Sequence, residues 1–174
     1  MTTANAVLDP GDRVLALDVS THVGVAVFEV GHVKPLHVEQ INIPKGCTGE
    51  RLTIWRGHLF HLIRDWEPEA IVFEQPFIGK GSQQTIRLLM SMCGLVEEVA
   101  FGHPAGPIDC YEENNSRVRA RFSGKGSGKS ATLKARCVAE ARHRGWIDDF
   151  NDNKADACAL GWFTVTTLGK QVLW

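Results

Sequence analysis

The sequence has no apolar run close to the roughly 18 residues that a membrane-spanning helix needs. Its first residues, MTTANAVLDPGDR, lack the basic start and the apolar centre of a secretory signal. We therefore expect a cytoplasmic protein with no membrane partner. Internal repeats, low-complexity segments and linker-like stretches are also missing, so the length of 174 residues predicts a single domain, 1–174.

The cysteines are poorly placed for cross-links, because they lie far apart in the sequence. The chain has five cysteines, an odd number, and no two of them form a C-x-x-C pair. This pattern argues against a disulfide framework and a zinc site, and it predicts reduced thiols. The five are Cys47, Cys93, Cys110, Cys137 and Cys158.

Positive and negative charges are nearly equal in number over the whole chain, with a formal net charge of −1 at pH 7. The distribution is uneven, because residues 117–144 contain nine Lys or Arg and a single acid, Glu140. A local basic cluster on a near-neutral protein is typical of a surface that binds a polyanion. The alternative is a solvated helix face without a partner.

The apolar pattern predicts an α/β domain. Three closely spaced runs favour a meander of antiparallel strands, and strands then alternate with helices. The order βββ-α-β-α-β-α, with a further helix, predicts a five-stranded mixed sheet flanked by helices. The predicted strands are 14–18, 23–28, 33–42, 70–74 and 107–111; the predicted helices are 50–66, 83–101, 128–144 and 153–168, and 116–122 is a short helix or a turn.

Acids stand at the ends of two of these apolar strands. Asp18 and Glu74 each follow a buried run, Asp156 opens a helix of small residues, and Asp152 lies four residues before it. A desolvated carboxylate must be paired, protonated or bound to a cation. Taken singly, Asp18 could cap a turn, Asp152 could be an N-cap and Glu74 could pair with an arginine.

Taken together, converging carboxylates make a hard oxygen site that suits Mg²⁺ or Mn²⁺. Two such ions, about 3.5–4 Å apart, can bind the attacking and the leaving oxygens of a phosphodiester displacement. In that chemistry the carboxylates act mainly as metal ligands.

Four short motifs occur in order between residue 14 and about residue 168, and together they resemble the RuvC-type Holliday junction resolvases of the RNase H-like superfamily. Each motif is weak alone, whereas the ordered set is specific. The motifs are LALDVSTHVG at 15–24, EQPF at 74–77 with Lys80, Gly81, Leu88 and Gly94 beyond it, RVR at 117–119 with GKGSGK at 124–129, and KADACA at 154–159.

The resemblance implies an RNase H-like fold and a two-metal endonuclease that works as a homodimer and cuts four-way DNA junctions symmetrically. It implies that Asp18 bridges both Mg²⁺ ions and that Glu74 and Asp156 hold one each, with Mn²⁺ as a substitute. The family usually has a fourth ligand three residues before the last Asp. This chain has Asn153 there, so either Asn153 or the neighbouring Asp152 is the candidate fourth ligand.

The resemblance also implies a DNA-binding set. Phe77 matches a position that packs against a base, and Arg119 and Lys129 match basic contacts near the scissile phosphate. A core phenylalanine and ordinary surface lysines are the alternatives. The weaker phosphate candidates are Lys80, Arg121 and Lys125, and Arg117 of the third motif completes the DNA-binding set.

The predicted helix 83–101 is apolar on more than one face, which is typical of a buried helix. It is either central to the core or shared between the core and a dimer interface, and the resemblance favours the dimer. The resemblance suggests a nucleoid-associated or phage-encoded protein, and some members of the family have branch-migration helicase partners.

Two other functions compete with this interpretation. Residues 123–130 are one glycine short of a phosphate-binding P-loop, but the preceding segment is too basic for a buried strand. Asn153 is the one feature that favours a non-catalytic junction-binding protein. A nuclease of the same chemistry that also cuts forks, flaps or three-way branches is a third hypothesis.

Overall fold

The structure is a computed structural model and describes residues 7–76 and 82–169. Within these ranges, no helix combines the length and the apolar composition needed to cross a lipid bilayer. The elements are β1 (Arg13–Asp18), β2 (His22–Glu29), β3 (His37–Asn42), α1 (Thr48–Trp66), β4 (Ala70–Glu74), α2 (Gln83–Phe101), β5 (Asp109–Glu113), α3 (Asn115–Ser123), α4 (Ser130–His143) and α5 (Asp152–Leu168).

The five strands form one mixed sheet in the order β3-β2-β1-β4-β5. The central strand β1 pairs antiparallel with β2, with Asp18 opposite Gly24, and parallel with β4, with Leu17 opposite Phe73. β3 extends the antiparallel side, and β5 runs parallel to β4. This topology confirms the predicted α/β fold. Because β1 and β4 are parallel, their carboxyl ends meet at one edge of the sheet, where α/β proteins commonly place their sites.

Helices cover both faces of the sheet. One face, which carries Leu15 and Leu17 of β1, packs against α1 and α2, and the other, which carries Val14 and Ala16, packs against α3, α4 and α5. Successive side chains of a strand point to opposite faces. Asp18 therefore belongs to the α5 side of the sheet.

Helix α5 lies directly on β1 and β2. A Cβ at Gly161 would lie 2.5 Å from the Phe28 ring and 3.2 Å from the Ala16 Cβ, so only glycine allows this approach. Most residues of α5 from Ala155 to Val165 are buried. The close contact fixes the distance between α5 and the strands β1 and β2.

Two strands are displaced from their predicted positions. The predicted strand 33–42 begins only at His37, because the chain bends at residues 33, 34 and 36 and Pro35 has no N–H to donate. The predicted strand 107–111 is instead β5, at 109–113. Pro107 cannot donate either, and the N–H of Ile108 donates to the carbonyl of Ala100 at 2.9 Å.

The segment 116–122, predicted as a short helix or a turn, is the helix α3. Asn114 is its N-cap, and the side-chain oxygen accepts from the N–H groups of Ser116 and Arg117 at 3.0 and 3.3 Å. Such a cap stabilises a helix by about 1 kcal/mol. The cap therefore begins α3 directly after the end of β5.

All five cysteines are free, as predicted, and only Cys47 is exposed. Burial raises the pKa of Cys93, Cys110 and Cys158 to about 12 and that of Cys137 to about 11. Because the thiolate is the reactive form, we expect one fast-reacting thiol per native chain at about pH 8. Titration with Ellman's reagent checks this, with the other four thiols reacting after denaturation. Several fast thiols in the native protein would contradict the packing of this core.

Candidate active site

Three acids meet at the carboxyl ends of β1 and β4. Asp18 ends β1, Glu74 ends β4, and both belong to the face that α5 covers. The Asp18 carboxyl group donates a hydrogen bond to Glu74. Asp156, in the second turn of α5, is only 5% exposed and lies close enough to both acids to raise their pKa values.

The cluster carries more negative charge than its surroundings stabilise. Burial, followed by the charges of Glu74 and Asp156, raises the pKa of Asp18 well above its usual value. Burial is also the largest cause of the raised pKa of Glu74, although a hydrogen bond from Asn115 opposes it. Clustered carboxylates with pKa values shifted this way are typical of functional sites.

The backbone of α5 approaches the sheet closely at one residue of β2. Gly24 lies opposite Asp18 in the sheet, and a Cβ at Gly24 would be 2.0 Å from the carbonyl oxygen of Asn153. Glycine is therefore required for the first turn of α5 to rest on β2. This contact places Asp156 over the end of β1.

Amide side chains tie the start of α5 to β3. Asn151, the N-cap of α5, donates from Nδ2 to Oε1 of Gln40 at 2.7 Å, and Asn153 donates to the same oxygen at 3.1 Å. Gln40 in turn donates to Asn42 at 2.7 Å. The network holds the first turn of α5 against the sheet.

Each of the two candidates for a fourth ligand has a contact outside the acid cluster, although Asn153 uses its amide nitrogen and not the oxygen that would bind a metal. Asn153 donates to Gln40, and Asp152 accepts a short hydrogen bond from the ammonium group of Lys134. The structure brings Asp18, Glu74 and Asp156 together and places Asp152 and Asn153 at the margin of the cluster. The identity of a fourth ligand stays a prediction.

Arg119 enters the cluster from α3. Its Nε and Nη2 donate to Oδ1 and Oδ2 of Asp156 at 3.1 and 2.7 Å, and only 11% of its side chain is exposed. Such a two-pronged pair is among the stronger ionic hydrogen bonds. Arg119 was predicted as a phosphate contact; in the structure its guanidinium faces the acids from within the site.

No three His, Cys, Asp or Glu side chains in 7–76 and 82–169 are grouped as a ready-made metal site. At Asp156, both oxygens are engaged by Arg119. The donor chemistry nevertheless fits Mg²⁺, which prefers carboxylate oxygens. Four ionised acids, the three above and Asp152, would face two cations, Arg119 and Lys134. The four negative and two positive charges would sum to a net charge of two negative units, which one divalent ion neutralises.

No protein-family model and no curated protein sequence matches the chain, whereas solved structures do. Thermus thermophilus RuvC aligns with a TM-score of 0.66 at 21% identity, covering 86% of this chain and 90% of that one. The chain has the RuvC fold. T. thermophilus RuvC in complex with Holliday junction substrate gives 0.65 at 18% identity, with the same coverage. The yeast mitochondrial Holliday junction resolvase gives 0.64 at 13% identity, covering 92% and 81%.

In this RuvC fold, the other predicted DNA contacts that lie within the described residues are on α3 and in the loop after it. Arg121, Lys125 and Lys129 are exposed. Arg117 is exposed too, but it pairs with Glu113 at 3.6 Å and lies over the Phe163 ring. The predicted contacts Phe77 and Lys80 lie outside the described residues.

The glycine-rich loop 124–129 is not a P-loop, because it joins α3 to α4 and does not follow a strand. Local backbone geometry explains two of its glycines. Gly124 ends α3 in the left-handed conformation at φ 74°, and a Cβ at Gly126 would lie 2.0 Å from the carbonyl oxygen of Ser116. Contacts within the protein therefore account for both Gly124 and Gly126.

Three residues of the site were missed in the sequence. Lys134 pairs with Asp152, Asn115 donates to Glu74, and Gln40 anchors the start of α5. Lys134 could have been singled out, because it lies in the basic cluster 117–144. Asn115 and Gln40 carry no signal of their own, since each acts through a contact between distant segments.

Proposed function

We propose that the protein is a structure-specific endonuclease that cuts four-way DNA junctions with the help of divalent metal ions. The observation that carries this proposal is the cluster of Asp18, Glu74 and Asp156 at the carboxyl ends of β1 and β4, in a chain with the RuvC fold. The basic surface next to the cluster supports a polyanionic substrate. The junction specificity is inferred from proteins of this fold that are Holliday junction resolvases.

In the proposed reaction, Asp18, Glu74 and Asp156 hold Mg²⁺. When bound, Mg²⁺ supplies an activated water molecule and stabilises charge on the leaving oxygen. Each oxygen of Asp156 accepts one hydrogen bond from Arg119 and keeps a second lone pair, so Asp156 can serve as a ligand while this pair persists. The guanidinium of Arg119 faces the same space, and one of its remaining N–H groups can donate to a phosphate oxygen, in agreement with its predicted role.

Exposed lysine and arginine side chains of α3 and the following loop would hold the DNA backbone. Arg121, Lys125 and Lys129 form no ion pair in the described part of the chain, so their charges are available. Contacts of this kind give affinity without sequence readout and weaken steeply with salt.

We infer that the active form is a homodimer assembled through α2. This helix buries a core face, yet Met90 and Phe101 are 46% and 78% exposed. A two-fold dimer matches a junction with two equivalent strands to cut. Sedimentation of the protein bound to junction DNA tests this inference, and one protein chain per junction would contradict it.

A substrate panel tests the proposed function. Labelled four-way junction, three-way fork and linear duplex of the same sequence are incubated with the protein and Mg²⁺. We expect cleavage of the four-way junction and none of the duplex. Cleavage of the fork at a similar rate would instead indicate a broader branched-DNA nuclease. Tight junction binding without cleavage in Mg²⁺ or Mn²⁺ would indicate a binding protein.

The Asp152→Asn substitution tests whether Asp152 positions Lys134 or serves as the fourth metal ligand. Because Asp152 accepts from Lys134 and lies beside the acid cluster, we expect it to position that ammonium group. Loss of a supporting contact typically costs about 10–100-fold in activity, so cleavage should fall without disappearing. Single-turnover cleavage measures the effect, with Asn153→Ala as the matched variant. Abolished cleavage in Asp152→Asn would assign it as the fourth ligand, and abolished cleavage in Asn153→Ala would assign Asn153.

A further inference from the structure

An exposed aromatic ring stands next to the candidate active site and has no role in the function proposed above. Phe150 lies between α4 and α5 and is 79% exposed, although the nearby Trp146 and Ile147 are each only 8% exposed. The residue before a helix N-cap commonly packs against the fourth residue of the helix, which is Ala155 here. Because Phe150 is exposed, it does not make this packing contact with α5.

The guanidinium group of Arg142 lies over one face of the Phe150 ring. The guanidinium carbon of Arg142, on α4, lies 3.9 Å from the centroid of the Phe150 ring. Arg142 makes no ion pair within residues 7–76 and 82–169, so the aromatic face is its main contact. An arginine on one face of a ring leaves the other face open for stacking.

The ring also borders a cavity of about 570 Å³ that extends to Asp152, at the margin of the acid cluster. The apolar face of α4 around Val138 forms part of its wall, and Lys134 and Asp152 form the end nearest the acid cluster. The volume is within the range of small-ligand sites, roughly 300–1,000 Å³. An apolar slot with lysine and arginine at its border is complementary to a flat base attached to a phosphate.

We propose that Phe150 and Arg142 form a stacking site for one unpaired base of the DNA strand that enters the active site. This inference rests on the proposed function for the identity of the DNA, whereas the site itself rests on the exposed ring, its cation and the cavity. Base–aromatic stacking tolerates any sequence, so the site would hold the strand without reading it. Phosphate contacts from Lys134 and Arg142 would fix the adjoining backbone.

The test measures binding of a four-way junction by protein that carries Asp18→Asn, so that the DNA stays intact. Phe150→Ala should weaken junction affinity about tenfold or more, and Phe150→Trp should retain it. Phe60→Ala is the matched control, because Phe60 is 50% exposed on α1, on the opposite face of the sheet. Its affinity should equal that of the parent protein.

A set of junctions, each with one base removed near the crossing point, completes the test as a double-mutant cycle. At one position, loss of the base should weaken the parent protein as much as Phe150→Ala does, and should leave Phe150→Ala unaffected. Equal affinities of parent and Phe150→Ala for every junction would overturn the inference, even if the wild type cuts junctions. Dissociation of a dimer by Phe150→Ala would also overturn it, because the surface would then bind a second copy.

Failure of the proposed function gives a different pattern. If the wild type does not cut junctions, the same variants are measured with a short single-stranded oligonucleotide and its counterpart without bases. Phe150-dependent binding that needs the bases would then support the stacking site and contradict only the junction activity. Binding that depends on neither Phe150 nor the bases would contradict both.

Discussion

Replacement of Asp18 by Asn is expected to abolish junction cleavage and to leave junction binding intact. Asp18 occupies the centre of the acid cluster, whereas the basic residues that would hold DNA lie on α3 and the loop after it. Loss of one ligand from a metal site removes several kcal/mol of transition-state stabilisation, a decrease of roughly 10³-fold or more in rate. Single-turnover cleavage and a gel-shift titration measure the two properties separately.

The same variant has an expected signature in stability. Since the pKa of Asp18 is raised by burial and by neighbouring acids, folding favours its protonated form, and the stability it contributes at low pH is lost as the pH rises. An asparagine at position 18 does not ionise, so the variant does not lose this stability as the pH rises. The metal-free variant should therefore melt above the wild type at neutral pH, by about 2–4 °C for each kcal/mol. Loss of both binding and thermal stability would show that Asp18 is a structural residue.

Gly24→Ala is expected to damage both stability and cleavage. The new Cβ would lie 2.0 Å from the carbonyl oxygen of Asn153 and 2.4 Å from its carbonyl carbon, so the first turn of α5 must move. Overpacking of this kind costs about 1–3 kcal/mol in the free energy of unfolding. Because Asp156 lies in the next turn, the displacement should also reduce cleavage strongly.

Gly57→Ala is the matched control for that measurement. Gly57 lies within α1, and a Cβ there would meet nothing within 4 Å. Alanine in a helix interior is better than glycine by roughly 0.5–1 kcal/mol, so urea unfolding should show a gain in stability. Full activity in Gly24→Ala would show that the position of α5 over β1 does not control the site.

The parts of the site that the sequence predicted are those with a local signal. An apolar run that ends in an acid predicts both a buried strand and a carboxylate at its end, and the structure places Asp18 and Glu74 at the ends of β1 and β4 in this way. The helix that carries Asp156 was predicted for a similar reason, from its small apolar residues. The five-stranded mixed sheet and the RuvC fold agree with the predicted fold class.

The parts that could not be predicted depend on contacts between distant segments. Nothing near Arg119 in the sequence reveals that its guanidinium binds Asp156, 37 residues away. The same holds for Lys134 and Asp152, which are 18 residues apart. A basic cluster predicts a charged surface, but it does not show which side chains turn inward. Pro35 and Pro107 likewise displaced two strand boundaries that the apolar pattern alone suggested.

The most direct test of the account maps the nicks on an end-labelled four-way junction in Mg²⁺, with EDTA and Asp18→Asn as controls. We expect paired nicks at symmetry-related positions on two opposite strands, and none in either control. Cleavage that persists in EDTA or in Asp18→Asn would contradict the proposed metal site. Junction binding without nicks in Mg²⁺ or Mn²⁺ would contradict the endonuclease itself.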